Sequence, residues 1–177
     1  LLTAKEHVGN VSGTRGKEVY LMNVGIFGLF ILAYYNLIGA SFNSVTFGII
    51  FCMLCTANSG SHPGNVWPIM LGYVVGSFGF SFLSQLAGGS YAMTINAQAI
   101  AIGLCFANGL SPITSKYGWF YGMIAAVMHF LLVTSVPNMH GGFCLYNGGF
   151  TAAVICVLLV PVLEKCVKTK SEKAAAK

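Results

Sequence analysis

The chain is a succession of long apolar runs separated by short stretches rich in Gly, Pro, Ser and Asn. Residues 1–18 are polar, with Gly9, Gly13 and Gly16 giving the backbone freedom. Six apolar segments follow, at about 19–40, 45–58, 67–84, 92–109, 118–136 and 149–164; the second is short. Residues 165–177 are Lys- and Ala-rich, with Glu172 the only acid among them. All six segments are expected to be helices. Hydrocarbon offers no water to pair with the backbone, and a helix satisfies its own N–H and C=O groups. About 20 residues cross a bilayer core. The pattern therefore predicts an all-α polytopic membrane protein of about six hydrophobic helices, some short or re-entrant. A polar cytoplasmic lead-in or linker (1–18), a transmembrane domain (19–164) and a basic cytoplasmic tail (165–177) complete the expected organisation.

Charge sharpens this picture. Between Glu18 and Glu164 the one formally charged side chain is Lys116, and no Asp or Glu occurs there. Charged residues make up 7% of the chain and hydrophobic ones 56%, whereas a soluble domain carries roughly a quarter charged residues. The net charge of +5 sits almost wholly at the ends, on residues such as Lys5, Arg15 and Lys17 and, after the last run, Lys165, Lys168, Lys170, Lys173 and Lys177. Basic flanks on an apolar chain are an orientation signal rather than a nucleic-acid footprint. They place both termini in the cytoplasm of a multi-pass cell-membrane protein, and an even number of crossings follows. The linker bearing Lys116 then faces the cytoplasm as well. No cleavable signal peptide is evident at the start. The chain does not begin with Met, which reads as processing or as membership of a longer protein.

An internal echo runs through the middle. Leu54-Cys55-Thr56-Ala57-Asn58 returns as Leu104-Cys105-Phe106-Ala107-Asn108, Pro63 answers Pro112, Trp67 answers Tyr117, and Gly72 answers Gly122, at offsets of 49 or 50. Each copy reads as helix, break, helix, over about 45–84 and 95–136. Interrupted helices in duplicated units are how many transporters build a site, because a break exposes backbone groups that need a partner. With six full crossings the two copies run parallel.

Three breaks carry the candidate chemistry. The first, Ser59 to Pro68, holds His62 and Asn65 among two prolines and two glycines, just after Asn58. Proline inside a helix removes a hydrogen bond, so Pro63 and Pro68 suit either a cavity-lining backbone or a surface loop with Pro68 at a helix start. The second, Asn108 to Trp119, holds Asn108, Ser111 and Thr114; Thr114 or Ser115 is placed to cap the next helix. Lys116 there marks the cytoplasmic face or attracts an anion. The third, Pro137 to Phe150, has two Gly pairs around His140, Tyr146 and Asn147 and reads as a re-entrant hairpin. His129 stands alone within an apolar segment. An ionisable group at membrane depth points to function by default, with a neutral, helix-bonded His as the bland reading. Asn96 and Gln98 face a polar pathway or a helix–helix hydrogen bond. The six cysteines read as reduced and structural. The Cys52/Cys55 pair lacks the βαβ context of a redox motif.

The run Ser61-His62-Pro63-Gly64-Asn65-Val66-Trp67-Pro68-Ile69-Met70-Leu71-Gly72 occurs together with Leu110-Ser111-Pro112, Lys116-Tyr117-Gly118-Trp119, Gly122, Ala125, His129 and His140-Gly141-Gly142-Phe143-Cys144-Leu145-Tyr146-Asn147-Gly148-Gly149-Phe150. In this order they resemble a bacterial membrane-protein family, domain of unknown function 1576. The resemblance covers about residues 20–164. It implies a chain matching the C-terminal half of longer members, with an N-terminal half as packing partner. Gly148 departs from the pattern, where a second Asn is expected. The family brings no substrate.

Three functions are weighed. A transporter or channel for a small neutral or anionic solute uses neutral polar groups, histidines and backbone; Na⁺ held by carbonyl and hydroxyl oxygens also fits. Its pathway is assigned to Asn58, His62, Asn65, Asn108, Ser111, Thr114, His129, His140, Tyr146 and Asn147. A structural or assembly subunit of a membrane complex is the first alternative. A membrane-embedded enzyme with a His-bound metal is the second, and it lacks a compact ligand spacing or a carboxylate base. The favoured reading needs no cofactor, metal or catalytic residue. Its partners are the lipid bilayer, a small solute or ion, other membrane subunits and a second copy of the chain, with no nucleic acid.

Overall fold

A computed structural model describes residues 9–90, 94–139 and 147–175, with the backbone alone for 137–139 and 147. The described residues form helices α1 (Val11–Arg15), α2 (Lys17–Leu37), α3 (Ser44–Cys55), α4 (Pro63–Leu86), α5 (Gln98–Ala107), α6 (Ser111–Tyr117), α7 (Trp119–Met139), α8 (Asn147–Cys166) and α9 (Lys170–Ala175). One 3₁₀ turn, Asn108–Leu110, joins α5 to α6.

Local chemistry sets these boundaries. The Asn43 side chain accepts the Val45 and Thr46 N–H groups at 3.0 and 3.1 Å and starts α3. Pro63 opens α4, where its missing N–H costs nothing. Pro68, expected to lie at a helix start or a break, instead sits inside α4. Within the segment expected at 92–109, the described residues are α-helical over Gln98–Ala107, ten residues, and continue into the 3₁₀ turn. Ahead of it the Ala97 N–H closes a turn on Thr94 O at 2.9 Å, which apolar composition does not foretell. The lead-in carries the short helix α1 rather than a free linker.

Among the described residues, four helices are long and apolar enough to cross a membrane: α2, α4, α7 over Trp119–Val136, and the helix that begins at Gly148. Helices α3 and α5, of 12 and ten residues, reach only about 18 and 15 Å, against about 30 Å of hydrocarbon. The described residues thus hold four helices of spanning length and two short ones, in keeping with about six apolar helices of which some are short, and each short helix opens one helix–break–helix unit.

The core forms where the units meet. Gly72 and Gly76 of α4 turn toward α7: a Cβ on Gly72 falls 2.6 Å from Ala126 Cβ and 2.7 Å from Met123 O, and one on Gly76 falls 2.9 Å from the Phe130 ring. Small residues of this kind let membrane helices touch backbone to backbone. Phe80 stacks on Phe130 with centroids 6.2 Å apart. Helix α2 is fastened to this core by Tyr34 Oη–H to Met70 O and Tyr35 Oη–H to Ala101 O, both 3.3 Å. Helix α8 packs against α5 and α7, with Gly148 against the Phe106 ring. Outward positions remain apolar, as at Leu29 (70% exposed) and Val157 (72%), the surface lipid covers.

Contacts fix the direction of the units. Ser61 meets Ser111, Asn65 meets Ser115, and Phe80 meets Phe130, each residue touching the one 50 positions on. A residue that touches its own duplicate lies on the axis relating the copies. Three such pairs over 19 residues place that axis along the helices, so α4 and α6–α7 run parallel and in register. Both terminal helices sit at the end where the first two breaks lie: α1 on Asn58, α9 against α6 with Lys170 beside Gly118.

Candidate functional site

The first two breaks form one buried polar seam inside an otherwise apolar bundle. In the first, the His62 N–H donates to Asn65 Oδ1 at 2.9 Å, and His62 Nδ1 accepts the Gly64 N–H at 3.1 Å. This is a capping box built from His and Asn rather than Ser and Glu. Accepting at Nδ1 leaves the proton of a neutral imidazole on Nε2. Asn65 is fully buried and satisfied: its Nδ2 donates to Gly60 O at 2.9 Å and to Ser115 Oγ at 3.0 Å.

In the second, the 3₁₀ turn leads directly into α6, and Pro112 lies in the first turn of that helix. The expected cap at Thr114 or Ser115 is not formed. Both lie within α6 and are buried, and the chain breaks instead at Gly118, with φ +119° and ψ 168°. That region is accessible essentially to glycine alone. Asn108 Nδ2 donates to Thr56 Oγ1, whose own proton goes to Met53 O at 2.6 Å. Ser61 Oγ and Ser111 Oγ lie 3.2 Å apart, and Asn23 Nδ2 of α2 donates to Ser61 O at 2.9 Å.

Two buried oxygens in this region, Asn108 Oδ1 and Thr114 Oγ1, have no hydrogen-bond partner among the described residues. Buried polar atoms in folded proteins are nearly always paired, so each is a cost to the fold that calls for a reason. Trp67 and Trp119 stack beside the breaks, with centroids 5.9 Å apart and partly exposed rings.

The assigned pathway residues thus divide. His62, Asn65, Asn108, Ser111 and Thr114 belong to the seam. Asn58 is half-buried and holds α1, accepting Ser12 N–H at its Oδ1 (3.0 Å) and Val11 N–H at its carbonyl (2.9 Å). His129 lies apart in α7, fully buried. Its Nδ1 is 2.6 Å from Tyr73 Oη and its Nε2 2.9 Å from Gly148 O. A carbonyl only accepts, so Nε2 carries the proton and Nδ1 accepts from Tyr73. The ring is neutral and joins α4, α7 and the start of α8. Helix α7 continues ten residues beyond this level, about 15 Å, so α8 begins inside the bundle. His140 and Tyr146, like the Asn147 side chain, lie outside the described residues. Asn96 and Gln98 bond at the far end, to Gly39 O and Asn43 Oδ1, and line no seam.

Lys116 is half-exposed and pairs with Glu164 at 3.0 Å, and that hydrogen bond raises its pKa. Among the described residues, no three His, Cys, Asp or Glu side chains come together to hold a metal. Ser61, Ser115, Thr56, Tyr117 and Asn23 are seam residues the sequence reading passed over. For Ser61 and Ser115 the signal was present, since the 50-residue offset pairs them with Ser111 and Asn65.

Four long apolar spans, two short helices and a buried neutral seam define an all-helical polytopic membrane protein. Residues 8–165 match the family described as protein of unknown function (DUF1576), and the chain belongs to that family. No curated protein and no solved structure matches it.

Proposed function

We propose that this protein is a membrane transporter or channel for a small neutral or anionic solute, and that the seam between the breaks is the narrow part of its pathway. The reading rests on one observation: two duplicated breaks bring neutral polar side chains together in a carboxylate-free interior, where Asn108 Oδ1 and Thr114 Oγ1 have no partner among the described residues. Polar groups buried without a partner cost stability, and a function is a reason to retain them. Such a set offers hydrogen bonds without fixed charge, which suits a polar neutral molecule or a weakly held anion. In this reading the protein sits in the cell membrane with both termini in the cytoplasm. The clustering of Lys17, Lys116, Lys165, Lys168 and Lys173 with the two breaks supports that orientation. The protein acts without catalysis, alongside lipid and other membrane chains.

The test is reconstitution into liposomes and uptake of a panel of small amides, polyols and monovalent anions. Asn108→Leu and Ser111→Val are expected to lower the flux of the transported solute by about ten-fold or more, the equivalent of one lost hydrogen bond to a desolvated ligand. Their melting temperatures should stay close to wild type. Absence of flux for every solute with the wild-type protein removes the reading, as does unchanged flux in both variants; the assembly-subunit alternative would then stand.

A further inference from the structure

Helix α1 is seated on the first break rather than trailing from the bundle. Val11 is fully buried although it belongs to a helix of only five residues. Its N–H and that of Ser12 are both taken by Asn58, through the carbonyl (2.9 Å) and the side chain (3.0 Å). These are orphan donors at the start of a helix, satisfied by the residue from which the first break descends. Asn10 caps α1 from its own side, accepting the Gly13 N–H at 3.0 Å. Gly16, at φ +93°, joins it to α2 through a bend open to glycine, and α2 in turn holds the break through Asn23 and Ser61 O. Asn108, the duplicate of Asn58, is itself fully buried and turns inward to Thr56. The two copies thus differ in that α1 is bonded to the half-buried asparagine of the first.

We propose that α1 is a lid over the end of the seam shared by the two breaks, and that its release from Asn58 admits water and solute to Ser61 and Ser111. This rests on the transport reading for its purpose, but its test measures access and does not need the solute. Ser111→Cys is introduced into the full-length chain, and its modification by a membrane-impermeant thiol reagent is followed at that position by peptide mass. The parent and two undocked forms, Val11→Asp and Asn58→Ala, are compared. Ser111 is 1% exposed, so labelling in the parent should be slow. Both undocked forms should label about ten-fold faster or more, as local opening replaces global opening as the route to the buried group. Hydrogen exchange over residues 11–15 confirms that α1 has left its seat, and far-ultraviolet circular dichroism confirms that the bundle is intact. Release of α1 without faster labelling at position 111 overturns the lid. If Val11→Asp does not fold, Asn58→Ala decides the matter, because it removes one hydrogen bond and adds no charge. Faster labelling together with failure of every solute to cross would keep the lid and discard transport.

Discussion

The two helix–break–helix units share a plan and differ at their joints. In the first, α4 runs unbroken from Pro63 through Pro68 to Leu86. In the second, the corresponding stretch is divided into α6 and α7 at Gly118, which is 50 positions after Pro68. Pro68, inside α4, forfeits one hydrogen bond, yet the helix continues through it to Leu86. A glycine free to adopt φ +119° lets the chain change course. The first unit therefore has one continuous helix after its break, while the second has a short helix folded against a long one, with Thr114 pressed on Gly122. The residue expected to break the chain does not, and the one that does carries no proline. The lesson is that a breaker acts through the conformation its neighbours require.

Substitutions at the duplicated glycines should give the largest contrast. Gly72→Ala drives a methyl into Ala126 and the Met123 carbonyl, and is expected to cost about 2–3 kcal/mol in reversible unfolding in detergent. Gly122→Ala meets mainly the Thr114 hydroxyl, which can rotate, and should cost about 1 kcal/mol, relieved by adding Thr114→Ala. Equal costs would mean that the two units pack alike.

The asparagines should separate stability from transport. Asn65→Ala strands the His62 N–H, Gly60 O and Ser115 Oγ, and is expected to cost about 2 kcal/mol. Asn108→Ala removes one bond to Thr56 together with an unsatisfied carbonyl, and should cost under about 1 kcal/mol while still lowering flux. A reversed order of stabilities would place the structural member of the seam in the other unit.

The joints come next. Gly118→Ala forces a side chain into a region closed to it and should lose about 1–2 kcal/mol, whereas Pro68→Ala should change stability by less than about 0.5 kcal/mol.

The smallest effect lies in the tail, which packs on α6 of the second unit. Glu172 accepts the Thr169 N–H at 2.7 Å and the Thr169 hydroxyl at 2.9 Å, forming a capping box for α9 that holds its carboxyl below the usual range. A lowered folded pKa stabilises the helix above the free carboxyl value of about 4.3, and that stabilisation disappears as pH falls through the lowered value. Amide exchange over Lys170–Ala175 should accelerate in acid, and Glu172→Gln should exchange fast at neutral pH as well. Insensitivity of α9 to both would detach its order from the cap.

Much of the fold could be read from the chain, because hydrocarbon is a strict solvent. Four long spans show themselves as uncharged runs, and the 50-residue echo announces which positions face each other, as Ser61 and Ser111 do. Other features could not be read. The stretch before Gln98 is as apolar as a helix, yet turns at Thr94 to Ala97. His129 looks like a lone ionisable group because its partner, Tyr73, is 56 positions away and carries no local mark. The seam itself was half visible. His62, Asn65, Asn108, Ser111 and Thr114 are polar interruptions in a greasy chain, whereas Asn23 and Thr56 sit within or at the edge of ordinary apolar runs and acquire meaning only through tertiary contact.

The same-direction pairing of the copies limits how this molecule can work. A two-fold axis along the bilayer normal maps each face of the membrane onto itself. Transporters assembled from oppositely oriented halves obtain their second state by letting the halves trade conformations, and that exchange presents the site to the other compartment. Here, trading conformations would return the same face. In the transport reading proposed above, an opening to the far compartment would therefore come from parts that have no counterpart, such as the bend at Gly118 or the helix resting on Asn58.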